Sequence, residues 1–241
     1  MTSGIFPSVP SVPGKETGEA ASTSTATLSN TSSATSATSA THVDLEPPHV
    51  RDTIKSLLLT PHIEGGYYAL TDSSPTLIPS PYPLTSLSEN TLQLVGGLRP
   101  DFDPAVRRAS SSILYYLTPR SPVGSFHRNR SRIVHTLHRG RGCYVLIHPD
   151  RRVETFVVGC EIQCGEKLQW AVDGGVWKAS YLLPNQDATS RCLDVHDEEL
   201  LISETVVPGF EYADHEFLSK DKLSQLLPEE LAERYGWLVK H

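Results

Sequence analysis

The sequence predicts a mainly β fold, an antiparallel sandwich or barrel with short flanking helices and a disordered N-terminal tail. Three observations lead there. From residue 110 onward, short runs rich in β-branched and aromatic residues recur, separated by Pro, Gly, Asp and Asn. Residues 1–42 are almost entirely Ser, Thr, Ala, Gly and Pro, too poor in apolar surface to offset the entropy of ordering them. Helix signals fall only at the two ends of what remains.

In chain order, Pro47 and Pro48 open a helix over 48–59 that places Val50, Ile54, Leu57 and Leu58 on one face. In "PHIEGGYYAL", Gly65 and Gly66 supply a bend and Tyr67, Tyr68 and Leu70 continue as a strand. Residues 72–109 are Pro-, Ser- and Gly-rich, a connection long enough to be a functional lid or disordered. The strand runs that follow are "SSSILYYL", "SRIVHTLH", "CYVLIH", "RVETFVVG", "KLQWAV", "VWKASYLL", "ELLISETVV" and "FEYADHEFL". Two short helices close the chain, one near Lys220–Leu227 and one started by Pro228. The domains are therefore a tail over 1–42, a β domain over 43–220 and a helical extension over 221–241.

The 21 Lys and Arg against 28 Asp and Glu give a net charge of −7, which leaves no face built for phosphates and makes nucleic acid an unexpected partner. The arginines at 128–141 read as a solvated strand edge or a paired interface. No apolar run is long enough to span a bilayer and no secretory leader is visible, so a soluble, cytoplasmic protein is expected. Cys143, Cys160, Cys164 and Cys192 contain no CxxC pair, which suits reduced thiols.

"LTPHIEGGYY", "SSSILYYLTPRSPVGSFHRNRS", "HRGRGCYVLI", "GGVWKASYLL" and "ETVVPGFEYADHEFL" together resemble, in order and spacing, the small cupins long known as a domain of unknown function. The resemblance covers roughly residues 50–220. It implies an RmlC-like jelly-roll barrel, a double-stranded β-helix, commonly a homodimer, with metal-free sugar-nucleotide epimerases and metal-dependent oxygenases among its structural relatives. The form "SSSILYYLTP…FHRNRSRIVHTLHRGRG" is similar to the fungal branch, which implies a cupin-domain oxidoreductase of polyketide, salicylaldehyde-type pathways.

The metal-ligand pattern of cupins, carried onto this chain, puts Ser125 at the first histidine, His127 at the second, Arg132 or Ile133 at the glutamate and Lys178 at the third histidine. One ligand of four remains, so no cofactor is expected; a non-standard set of His127 and His135 with Glu154 or Glu204 is the alternative. His135 shares strand parity with Ile133 and points inward, whereas His138 faces out.

Without a metal, His127, His135, Glu64, Tyr67 and Tyr115 would line the barrel. Histidine would be the base, Glu64 its orienter or the opposing acid (or merely a cap on turn amides), and Tyr115 or Lys178 would stabilise an enolate. Tyr67, Lys178 and Trp177 are expected to bind substrate. Glu204 and Glu211 are read as solvated strand-edge charges, and His215 is not ranked. Three functions follow: a tailoring enzyme that moves a proton on an aromatic or polyketide carbonyl compound, as an isomerase, dehydratase or epimerase; a redox step on such a substrate; or a non-catalytic binding barrel. No Gly-rich strand-turn-helix for a dinucleotide is present.

Overall fold

In a computed structural model, which describes residues 42–183 and 198–240, the strand cadence forms two antiparallel sheets packed face to face and a small two-stranded ribbon. The tail before His42 and Cys192 lie outside the described residues. Helix α1 (Pro48–Ser56) is followed by β1 (Thr60–Pro61), β2 (Tyr67–Ser73), β3 (Leu77–Pro79), helix α2 (Glu89–Leu94) and β4 (Val106–Arg108). Next come β5 (Ser111–Leu117), β6 (Val123–Asn129), β7 (Arg132–Gly140), β8 (Gly142–Ile147), β9 (Val153–Val158), β10 (Gln169–Val172) and β11 (Trp177–Leu182). The chain closes with β12 (Leu200–Val207), β13 (His215–Phe217), α3 (Lys220–Leu226) and α4 (Glu229–Tyr235).

One sheet has the order β1-β2-β5-β12-β7-β10, the other β13-β6-β11-β8-β9. The non-sequential neighbours make this the jelly roll that the resemblance implied. Strand β6, absent from the sequence-derived runs, carries Gly124 and Ser125, which lower its β propensity; cross-strand pairing to β11 and β13 holds it instead.

Alternation along the strands sorts side chains between three clusters. Tyr115, Leu117, Tyr144, Leu146, Trp170 and Ile202 fill the space between the sheets. Phe126, Val145, Ile147, Trp177 and Ala179 leave the opposite face of the five-stranded sheet and pack under Leu223, Leu227, Tyr235 and Leu238 of the C-terminal helices. Tyr67, Tyr116 and Leu201 leave the six-stranded sheet outward and pack beneath Val50 and Ile54 of α1. Each large side chain so buried contributes roughly 1.5–3 kcal/mol. Helix α1 stops short of the expected residue 59 because Leu58 takes a φ of 54° and turns its side chain, 81% exposed, away from the apolar face.

Residues 72–109, read from the sequence as a lid or disordered, carry the β3–β4 ribbon and α2, whose first turn is capped when the Ser88 hydroxyl accepts from the Thr91 amide at 3.3 Å. Arg107 anchors the segment. Its guanidinium, buried between the rings of Tyr82 and Phe102, donates to both carboxylate oxygens of Asp214 at 2.7 and 3.1 Å. Arg130 donates to the same carboxylate at 3.1 Å. Replacing Arg107 by alanine strands a buried carboxylate with one partner, and we expect a loss of about 3–5 kcal/mol. Urea denaturation measures it; a loss below about 1 kcal/mol would show that the ion pair is not what ties this segment down.

Candidate functional site

The sheets enclose two sets of ionisable side chains at the inner end of a cavity of about 430 Å³. Glu64 is the centre of the first. The turn that presents it needs both glycines: Gly65 has a φ of 106° and a Cβ there would stand 2.0 Å from the Val123 carbonyl oxygen, while Gly66 has a φ of 66°. The Glu64 carbonyl accepts from the Ser125 amide at 2.7 Å, and the Gly65 carbonyl accepts from the Tyr115 hydroxyl at 2.9 Å. Pinned this way, Glu64 Oε1 lies 3.3 Å from His127 Nε2 on β6 and 3.1 Å from His215 Nε2 on β13. Its Oε2 is 3.5 Å from His62 Nδ1.

The second set is Lys178 on β11, His135 on β7 and Glu204 on β12. Lys178 Nζ donates to Glu204 Oε2 at 2.7 Å and to His135 Nε2 at 2.9 Å. Lys178 and His127 are direct cross-strand partners, so the two sets adjoin. None of the seven side chains is more than 8% exposed, which means that each charge must find its counter-charge within the protein.

Burial decides the protonation states. It pushes His127 down to about 3, with Lys178 and His215 adding to the effect and Glu64 opposing it. Burial likewise lowers His62 and, with Lys178, sends His135 well below the usual histidine value. For Glu64 burial acts upward, but His127, His62 and the hydrogen bond from His215 outweigh it and hold the carboxyl well below its ordinary range. Glu204 is raised, chiefly by burial, against the pull of Lys178.

The tautomer of His127 follows from its other nitrogen. Nδ1 lies 2.8 Å from the Ser125 carbonyl, an acceptor only, so Nδ1 carries the proton. Nε2 of the neutral ring is then a lone pair, buried and without a hydrogen-bond partner, aimed at a carboxylate oxygen. Two electron-rich atoms held that close call for a cation between or beside them. The ligand atoms of Glu64, His127 and His215 all lie within 4.8 Å of one another, and the three residues form a candidate metal site. Two ligands about 2.1 Å from one ion, at the angles of tetrahedral or octahedral coordination, stand roughly 3.0–3.4 Å apart. The two separations that involve Glu64, 3.1 and 3.3 Å, fall in this range. Thr91 Oγ1, 3.3 Å from His215 Nδ1, can accept its proton and leave Nε2 to ligate.

The expected site is thus redrawn. Glu64, His127 and Tyr115 come together, and His135 and Lys178 adjoin them, but Tyr67 does not. In the β2–β5 register Tyr68 pairs with Tyr115 and Tyr67 with Tyr116, so Tyr67 points outward under α1 and Tyr68 borders the cavity. Trp177, one residue from Lys178, likewise faces outward, 4.6 Å from the Arg128 guanidinium. Glu204 is no solvated edge charge, because β12 lies in the middle of its sheet between β5 and β7. His135 and Glu154 are not part of the candidate set; Glu154, on β9, pairs instead with His148, Arg152 and Lys167. His138 is exposed, as its parity required. His62 and His215 escaped the sequence reading; the signal for His215 was its place in "HEF", a short strand beside β6. Arg128, Arg130, Arg132, Arg139 and Arg141 each pair with a carboxylate of this chain. Cys143, Cys160 and Cys164 are free thiols.

Two measurements probe this arrangement. A histidine kept neutral by burial binds fewer protons folded than unfolded, so its contribution to stability declines as pH falls below about 6.5. Glu204, raised, acts in the opposite sense above the ordinary carboxylate value. We expect the Tm to fall between pH 7 and 5, and less steeply for His135→Gln; parallel curves for the two proteins would contradict a buried neutral His135. Gly65→Ala forces a side chain into the Val123 carbonyl at positive φ, and guanidinium denaturation should register a cost of at least about 2 kcal/mol.

The chain matches the family model described as Cupin superfamily (DUF985) over residues 51–218. It is 44% identical over 191 residues to a Saccharomyces cerevisiae protein described as uncharacterized, covering 78% of this chain and 86% of that one. A solved structure of a hypothetical protein from Leishmania major is similar at a TM-score of 0.56 and 26% identity, covering 75% of this chain and 94% of its own. A Shewanella oneidensis protein matches in fold, at 0.57 and 24% identity over 78% and 96% of the two chains. No described helix is long and apolar enough to cross a membrane. Relatives from such different sources do not carry the polyketide role with them, but the match over most of the ordered strands and the two-sheet topology agree: this chain belongs to the cupin superfamily, in the family designated DUF985.

Proposed function

We propose that this cupin is an enzyme that holds a divalent metal ion on Glu64, His127 and His215 and moves a proton on a small, largely apolar carbonyl compound bound in the adjoining cavity. The observation that carries the reading is the buried, unpartnered Nε2 of His127, fixed as a lone pair by the Ser125 carbonyl and facing Glu64. Two imidazoles and one carboxylate suit first-row ions such as iron, manganese or zinc. When bound, such an ion would supply Lewis acidity toward a substrate oxygen.

The residues of the chain supply the rest. Apolar walls from Ile113, Ile133, Val206 and Phe210 exclude water and seat the substrate body. Glu204 borders the cavity, and its carboxyl exchanges the proton with the substrate carbon or oxygen, while the Lys178 ammonium, 2.7 Å away, steadies it as a carboxylate. His135 holds Lys178 in place by accepting its second hydrogen bond.

A metal-free version is favoured by one feature, the Lys178–Glu204 pair at the position where the cupin pattern would have a third histidine. A redox step on the same substrate would draw on the same ion, and a non-catalytic binder would use the cavity alone.

Metal analysis of the full-length protein, stripped and then reloaded with iron, manganese or zinc, should give close to one ion per chain. His127→Ala and His215→Ala should each reduce retention at least tenfold, with the fold intact by circular dichroism. Equal retention by wild type and both variants, or none by any, would overturn the metal assignment, and turnover by stripped protein would favour the metal-free version.

A further inference from the structure

The cavity that opens from this site is charged at its mouth as well as its floor. Of the charged side chains that border it, Glu204 is bound by Lys178 at 2.7 Å. Glu211 takes a two-pronged grip from Arg99, Nη2 donating to Oε1 at 2.8 Å and Nε to Oε2 at 3.2 Å. Glu64 is held by the imidazoles. Arg108 differs from all of these. Its guanidinium donates from Nη1 to the Ser74 carbonyl at 2.9 Å and has no carboxylate partner among the described residues. The Ser74 carbonyl orients the guanidinium without neutralising it, and Gly209, whose Cβ would lie 3.1 Å from Arg108 Cβ, lets the base of the side chain pack closely against the strand end. The same cavity is also lined by the apolar side chains of Leu70, Ile113, Ile133, Val206 and Phe210.

We infer that the cavity takes an amphipathic anion: a molecule with an aromatic or aliphatic body and a carboxylate that is bound by Arg108 at the mouth, its opposite end directed toward Glu64. The inference rests on the proposed site for the direction in which the ligand lies, whereas the carboxylate–Arg108 contact stands on the unmatched guanidinium alone. A bare hydrocarbon would leave that charge without a partner, and a cationic ligand would be repelled by it. An arginine fork accepts a planar carboxylate through two parallel hydrogen bonds, a geometry that a lysine cannot copy.

The test uses cinnamate and its neutral analogue cinnamamide as probes of nearly equal shape. Both are titrated by calorimetry into the full-length protein at low ionic strength, as purified and after chelation of metal. Wild type should prefer the acid over the amide by at least tenfold, Arg108→Gln should abolish that preference, and Arg108→Lys should keep part of it. The preference should persist in the chelated protein and shrink in 0.5 M salt, as an exposed charge contact does. Equal binding of acid and amide, no binding of either, or a preference that survives Arg108→Gln would each overturn the inference. Because the chelated arm reads Arg108 without any metal, a failed metal assignment and a failed anion site are told apart.

Discussion

Seven ionisable side chains are confined between two apolar sheets, and the need to neutralise them without water governs the interior. Glu204 can be buried because Lys178 lies within 2.7 Å, whereas Glu64 has only imidazoles around it: His215 Nε2 at 3.1 Å, and the His127 and His62 rings, which burial keeps neutral. Removing any one leaves a charge or a lone pair in a low-dielectric space, which costs several kcal/mol more than the contact it made. The sets are not equivalent. Each set leaves one imidazole nitrogen without a partner, but of different kinds: His135 Nε2 accepts from Lys178, so its unmatched Nδ1 is an N–H, whereas the unmatched His127 Nε2 is a lone pair facing a carboxylate oxygen. A lone pair beside a carboxylate is a place for a cation; an N–H is not.

The fold produces this by simple geometry. Residues two apart on a strand share a face, so β6 places His127 inward and Phe126 outward, and β11 does the same with Lys178 and Trp177. The outward residues are then sealed by α3 and α4, and those of the other sheet by α1, so the small helices at both ends of the chain keep the sheets rigid behind the polar groups. His215 is fixed from outside the barrel. Asp214, its neighbour, is clamped by Arg107 from the 72–109 segment and by Arg130 from beyond β6, so one buried ion-pair group sets both the cover over the cavity and the position of an imidazole.

How much of this was legible from the sequence depended on whether the signal was local. "SRIVHTLH" is visible because burial alternates along its first half, "CYVLIH" because it is a short apolar run buried throughout, and the last helix because Pro228 opens it. Tyr67 and Tyr68 were not separable, since adjacent tyrosines offer no polar partner to say which face is inside; only the register with Tyr115 and Tyr116 decides. Glu204 looked like a solvated charge because "ISETVV" does not reveal that β12 is flanked on both sides. His215 and Glu64 are 151 positions apart and meet only through the order β13-β6 and the Gly65 turn, a long-range pairing that no local pattern encodes. The cupin spacing directed attention to Lys178 as a lost ligand, whereas the second imidazole of the candidate set, His215, lies on a different strand.

The central claim concerns one ring: His127 is neutral, protonated on Nδ1, with Nε2 free to accept a cation. Nitrogen-15 NMR of the imidazoles in metal-stripped protein at neutral pH addresses it directly, because the two nitrogens of a neutral tautomer resonate far apart. The account predicts a protonated Nδ1 and an unprotonated Nε2 for His127, with the Nε2 signal moving or broadening when a divalent ion is added. A proton found on Nε2, or on both nitrogens, would contradict it.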